Sequence, residues 1–185
     1  VALGGVYEIT KDPIAKQEAQ AKAEAYEQVF TDAAAFEEVE MDDTLIQTIR
    51  DQLDQEGYKA QSIEEVMRAE DQSGETLGYA FTVVTSEGYG GDIQFSMGVQ
   101  NDGTLNGISI LSIGETAGLG MNADTPAFKD QFVGKQVEKL QYTKNGATQD
   151  DEINAISGAT VTTNAMTNGV NAGLCAFRVM EGGDQ

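Results

Sequence analysis

The sequence predicts an α+β fold, an antiparallel sheet of about four to six strands with packed helices and an N-terminal helical extension, on three observations. Between Leu77 and Ile113 the apolar residues recur with a period close to two, and glycine-bearing turns interrupt them. Ahead of that region and again near the C-terminus, apolar residues fall every three or four positions, the spacing of one helix face. The order, strands first and a helix returning at the end, is that of an α+β domain.

Taken in order, Asp12-Pro13 signals a helix start, since Asp12 can cap and Pro13 suits a first turn that has no use for its N–H. Ala15, Ala19, Ala23, Tyr26 and Phe30 then form a narrow apolar seam, which lays this helix along the domain or stands the domain off a neighbour. A second helix runs from about Asp43 to Gln55 with Leu45, Ile46, Ile49 and Leu53 inward, and Gly57 ends it. Ile63 to Glu70 reads as a strand, although Ser62 and Glu65 also fit a helical capping box. After the turn Gln72-Ser73-Gly74, the stretches Leu77 to Thr85, Asp92 to Gln100 and Leu105 to Ile113 continue an antiparallel meander of about four strands, with Asn101-Asp102-Gly103 as a hairpin turn. Pro126 to Phe132 is a short helix with Thr125 as cap and Gly134 as stop. Val137 to Thr143 is a further strand, and a last helix places Met166, Val170, Leu174 and Phe177 on one face.

Composition removes several functions. Eleven basic residues against 31 acidic ones in 185 leave a net charge of −20, which repels nucleic acid and anionic lipid surfaces. With no histidine and only Cys175, there is no intrachain disulfide, and the usual zinc sites, histidine-held haem, iron–sulfur clusters and His-dependent triads are excluded. Redox chemistry in this chain therefore needs an organic cofactor. No run of about 18 apolar residues is present. The chain begins with Val1 rather than methionine, and Val1, Ala2, Leu3, Val6 and Tyr7 read either as the trailing end of an apolar segment or as a short first strand.

Three stretches carry the chemistry. Asn154-Ala155-Ile156-Ser157-Gly158-Ala159-Thr160-Val161-Thr162-Thr163 crowds small and hydroxyl residues ahead of the last helix. Bare backbone and the unpaired amides of a helix N-terminus suit a phosphate there. Ser157, Thr162 or Thr163 serving as a plain N-cap is the competing reading. Gly88-Tyr89-Gly90-Gly91 joins two strands, and Gly114-Glu115-Thr116-Ala117-Gly118-Leu119-Gly120-Met121 is a long connection of the kind that more often binds something.

Together these three stretches resemble the FMN-binding domain family, which supplies flavoprotein subunits to the Rnf ferredoxin:NAD oxidoreductase and to the sodium-pumping NADH:quinone reductase. The similarity covers roughly Glu64 to Val179, and Val6-Tyr7-Glu8-Ile9-Thr10 with the helix after it resembles the Rnf branch. In that family the last threonine of the Ser/Thr-Gly-Ala-Thr motif is esterified to the FMN phosphate by a separate flavin transferase. The resemblance implies covalent FMN at Thr160, with Ser157, Gly158, Ala159, Thr162 and Thr163 about the phosphate. It further implies that Glu115, Thr116, Gly118 and Leu119 line the flavin site. Glu115 is alternatively an ordinary solvated carboxylate, and Tyr89 either stacks on the ring or packs on the sheet. Two departures from the family pattern are Asn154, where aspartate is usual, and Ala117, where proline is usual.

The function that the resemblance implies is that of an electron-carrying subunit of a membrane-bound, ion-translocating complex, with no catalytic acid or base and no metal of its own. Residues 1–60 become a juxtamembrane segment with helices and 61–185 the FMN-binding domain, over one continuous core. Its partners are the other subunits, and a transmembrane helix preceding this chain holds it on the extracytoplasmic face of the cytoplasmic membrane. Two alternatives stand beside this reading: a stand-alone extracytoplasmic FMN-binding electron-transfer protein, and a non-redox acidic surface module whose Ser-Gly-Ala-Thr loop only caps a helix.

Overall fold

The chain builds a five-stranded antiparallel sheet whose order in space is its order in sequence: β1 Ala35–Glu38, β2 Gln61–Glu70, β3 Thr76–Thr85, β4 Ile93–Gln100 and β5 Leu105–Ser112. The computed structural model describes residues 3–182, so the expectation for Val1 and Ala2 lies outside the described residues. The helices are α1 Leu3–Val29, α2 Asp43–Glu56, α3 Pro126–Lys129 and α4 Thr160–Gly182. The sheet is covered on both faces. Val66, Phe81, Phe95 and Met97 face α2 and α4, while Ala69 and Ala80 meet Tyr26, Val29 and Phe30 at the end of α1. The α+β architecture is as the sequence predicts.

α2 follows its local signals closely. The Asp42 side chain accepts from the Leu45 amide at 2.7 Å, and Gly57, at φ +90°, closes the helix in the left-handed region where a side chain is costly. Ile49 and Leu53 are buried and Leu45 is half-buried, but Ile46, expected inward, is exposed, because α2 presents only a narrow stripe to α4 and the sheet.

Of three other elements, α1 differs from expectation, β2 bears out the strand reading and β1 is unexpected. α1 begins at Leu3 and runs through Pro13 instead of starting there, and so excludes a short first strand. Pro13 removes one helical N–H, on an exposed stretch of the helix. Only the last turns of α1 pack closely on the sheet: Ala15, Ala19 and Ala23 are exposed while Tyr26 and Phe30 are buried. β2 is a strand, not a capped helix, because it is held between β1 and β3. β1 itself has no alternating pattern, and its register with β2 comes from pairing alone.

The region after β5 also tightens. α3 continues as a 3₁₀ turn over Asp130–Phe132, and Thr125 gives no side-chain cap, since its hydroxyl donates to the Asn122 carbonyl at 2.7 Å. The strand expected from Val137 shrinks to β6 Gln141–Thr143, which pairs in parallel with β7 Glu152–Asn154. Leu140 ends the segment before β6, and the Asn171 side chain of α4 both accepts from its amide and donates to its carbonyl.

α4 lies close on the sheet because glycines face it. A Cβ at Gly173 would overlap the Met97 sulfur, and one at Gly169 would sit 2.8 Å from the Phe95 ring. At its far end Arg178 holds Glu56 of α2 through both carboxylate oxygens, at 2.9 and 3.0 Å. Burial opposes ionisation of Glu56, but hydrogen bonds from Gln52 and Arg178 outweigh it and hold the carboxyl below its ordinary range. Burial, reinforced by Glu56, pushes the Cys175 thiol up to about 12, so it is a core residue.

Two measurements check this packing. Gly173→Val is expected to destabilise the fold by about 1–3 kcal/mol through overpacking, whereas Gly182→Ala, where an added Cβ meets nothing, stays within about 0.5 kcal/mol in urea unfolding. Because the folded pKa of Glu56 is depressed, its stabilisation is present above the unfolded value of about 4.3 and is lost as pH falls through the folded one. The stability gap between wild type and Glu56→Gln should therefore be constant near neutrality and close in acid; a gap that widens in acid contradicts the assignment.

Candidate functional site

The register of the sheet gathers the three stretches at one end. Thr85, the last residue of β3, pairs with Ile93 at the start of β4, and Gln94 pairs with Ser112 at the end of β5. The loops that follow β3 and β5 must therefore lie side by side. α4 runs against the direction of β3, since Gly169 lies by Thr85 and Phe177 by Tyr79, so its N-terminus comes to the same end. The approach is close enough that a Cβ at Gly90 would overlap the Gly114 carbonyl oxygen.

Glu115 joins these parts. One carboxylate oxygen accepts from the Gly90 amide at 3.0 Å and the other from the Thr162 hydroxyl at 2.6 Å, and the residue is 8% exposed. It is not a solvated surface carboxylate. Gly120 makes room for the pair, for a Cβ there would stand 2.5 Å from the Thr162 hydroxyl oxygen and 2.7 Å from the Glu115 Cβ.

These elements enclose a cleft of about 610 Å³, within the usual range for small-molecule sites. Tyr89 lines it from the first loop, Glu115, Thr116, Leu119 and Gly120 from the second, and Gly158 to Thr162 from the third. Among the described residues, three of the six exposed large apolar side chains, Tyr89, Leu119 and Val161, stand at this cleft. Tyr89 is 76% exposed and so does not pack on the sheet. Apolar surface left open around a concave site suits an aromatic ligand.

The floor of the cleft suits a phosphate. α4 starts at Thr160, and among the described residues the amides of Thr160, Val161 and Thr162 meet no acceptor. None of Ser157, Thr162 and Thr163 caps them. The Thr163 hydroxyl accepts from the Ile156 amide at 3.0 Å and donates to the Ala159 carbonyl at 2.9 Å, which locks the loop onto the helix. The Thr162 hydroxyl is engaged by Glu115, and Ser157 is exposed and lies outside the cleft lining. Of the four hydroxyl-bearing residues between Ser157 and Thr163, Thr160 alone both lines the cleft and has a hydroxyl without a partner among the described residues.

Of the residues that the sequence singles out, Gly118 also lies outside the lining, where its carbonyl accepts from the Asn122 side chain at 3.1 Å. Gly120 and Val161 line the cleft without having been expected there. The signal for Gly120 is the third glycine of its loop after Gly114 and Gly118, while Val161 offers only its place next to Thr160. Asn154, away from the cleft, accepts from the Ala147 amide at 2.6 Å, a bond that an aspartate would also make. No group of His, Cys, Asp or Glu able to hold a metal occurs among the described residues.

An apolar-rimmed cleft with bare amides and one free hydroxyl at a helix N-terminus defines a protein suited to hold an aromatic cofactor through its phosphate. The profile of the FMN-binding domain matches residues 88–174. The chain is 32% identical over 172 residues, 92% of its length and 80% of the relative's, to the G subunit of the Na(+)-translocating ferredoxin:NAD(+) oxidoreductase complex of Acetobacterium woodii. It is 38% identical over 98 residues to the corresponding subunit of a proton-translocating complex from Clostridium ljungdahlii, covering 53% of this chain and 52% of that one. The crystal structure of the C subunit of the Na(+)-translocating NADH-quinone reductase from Parabacteroides distasonis shares the fold, with a TM-score of 0.52 at 24% identity over 62% of this chain and 61% of that one. The chain belongs to the FMN-binding domain family and is homologous to the RnfG- and NqrC-type subunits of ion-translocating redox complexes.

Gly120→Ala is expected to part Glu115 from Thr162 and to cost about 1–3 kcal/mol, against less than about 0.5 kcal/mol for Ala117→Pro or Ala117→Ser on the exposed loop. Urea unfolding of the three variants checks it.

Proposed function

We propose that this chain is the electron-carrying flavoprotein subunit of a membrane-bound, ion-translocating ferredoxin:NAD oxidoreductase of the Rnf type, with FMN joined to Thr160 through a phosphoester. The observation that carries the reading is the selection among four hydroxyl residues: the hydroxyls of Thr162 and Thr163 are engaged, Ser157 lies outside the cleft lining, and Thr160 lines the cleft with its hydroxyl unpartnered among the described residues. The names of the relatives support the complex, and the alignment over most of the chain with the Acetobacterium woodii subunit supports the Rnf branch over a stand-alone carrier.

The residues present fit FMN. Once bound, it supplies one- and two-electron transfer, which no side chain here provides. Thr160 gives its oxygen to the new O–P bond and loses its hydroxyl proton when a flavin transferase displaces the donor's leaving group. The amides of Thr160, Val161 and Thr162 then face the single negative charge that a phosphodiester retains. The cleft lining contains no lysine or arginine and holds Glu115, so it suits one negative charge better than the two of a free phosphate monoester. Leu119 and Val161 offer apolar surface, Tyr89 a face on which to stack, and Thr116 a hydrogen bond. The covalent bond makes retention independent of affinity.

Among the described residues no helix is long and apolar enough to cross a membrane, and in this reading the anchor precedes them, with the domain on the extracytoplasmic face. Protein co-expressed with a flavin transferase and exported is expected to gain the mass of one FMN less water and to fluoresce in a denaturing gel. Thr160→Ala should lose both signals and Thr160→Ser should keep them. Survival of the added mass in Thr160→Ala would falsify the attachment.

A further inference from the structure

We propose that Glu115 is a positioning residue that couples the seat of the flavin ring to its tether, acting through the Gly90 amide and the Thr162 hydroxyl instead of through the flavin itself. This rests on the proposed attachment at Thr160 and deepens it.

The Glu115 carboxylate is engaged on both oxygens within the protein. Each of its oxygens already accepts a hydrogen bond, from Gly90 at 3.0 Å and from Thr162 at 2.6 Å. Those two donors sit on the two elements that must be held in register. Gly90 follows Tyr89, which lines the cleft, and Thr162 lies two residues beyond Thr160 in the first turn of α4. Glu115 itself opens the loop that carries Thr116 and Leu119. One side chain thus ties the stacking residue, the ring loop and the tether helix together.

The surrounding glycines support this role. A Cβ at Gly88 would overlap the Gly91 carbonyl oxygen and come 2.7 Å from one Glu115 oxygen, and a Cβ at Gly120 would come 2.5 Å from the Thr162 hydroxyl oxygen and 2.8 Å from the other Glu115 oxygen. Two glycines, from two different loops, are thereby bare where this carboxylate lies. They make room for the clamp, not for a phosphate. The direction of the bonds has a further effect: by accepting the hydrogen bond that the Thr162 hydroxyl donates, Glu115 turns that O–H away from the phosphate and leaves the charge to the helix amides.

A clamp of this kind separates attachment from seating. Without it the phosphoester at Thr160 still forms, because the hydroxyl and the amides remain, but the ring loop and the Tyr89 turn are no longer held over the tether. Glu115→Ala should therefore retain the full FMN mass on the peptide containing Thr160, while flavin fluorescence rises several-fold toward that of free FMN and the visible circular dichroism collapses. Glu115→Gln should stay close to wild type, since its oxygen can accept from Gly90 and its amide can donate to the Thr162 oxygen. Thr162→Val removes one bond with little change of shape and should move both spectra in the direction of Glu115→Ala, which keeps the test available if the alanine variant fails to fold.

Spectra of Glu115→Ala, or of Thr162→Val, that match wild type overturn the proposal. So does a Glu115→Gln protein as disturbed as Glu115→Ala, because charge beside the ring would then be what matters. A folded Glu115→Ala protein that carries no FMN overturns it as well, by making Glu115 necessary for attachment. Absence of FMN from the wild type overturns the attachment and the clamp together, a different result from any of these.

Discussion

The bond pair at Glu115 sets the geometry on which the site depends. Three loops that are far apart in sequence converge on a single buried carboxylate, with one oxygen toward Gly90 and one toward Thr162. A buried carboxylate is costly unless it is hydrogen-bonded, and here each oxygen accepts one bond. Its position also accounts for part of the glycine content of the loops, since a side chain at Gly88 or Gly120 would meet that group.

The clamp works because the sheet delivers its parts to one place. Antiparallel pairing brings the ends of β3 and β5 together, and α4 lies against β3 with its N-terminus at the same end. Glycines at 169 and 173 let α4 approach β4 closely, and Asn171 and Arg178 fix it to the segment before β6 and to α2. The helix is thus gripped at several points by groups remote from the cleft. Its first turn is left with three open amides and one open hydroxyl.

Electrostatics shapes the same site by omission. The chain carries −20 overall, yet from Ile153 to Phe177 it has no charged residue at all. The cleft has one carboxylate, already committed, and no cation in its lining. Such a site holds an anion by oriented amides alone, which favours a small charge at short range and gives little attraction from a distance. The proposed covalent tether would resolve that weakness, because retention would then no longer rest on attraction.

The sequence by itself determined the elements whose signals are local. Gly57 ends α2, glycine turns punctuate the meander, and the absence of histidine together with a single cysteine leaves an organic cofactor as the redox option. The three motifs were sufficient to identify the family. Tertiary structure decided whatever depends on a partner distant in the chain. β1 has no pattern of its own and exists by pairing with β2, β6 and β7 pair in parallel across a loop, and the alanine seam of α1 stays exposed because the helix is buried only from Ala25 on. The engagement of Thr162 and Thr163, the burial of Glu115 and the freedom of Thr160 were likewise invisible in residue type. A hydroxyl or a carboxylate reads the same in sequence whether it faces solvent, a backbone amide or a cleft, and only the close approach of three loops distinguishes them.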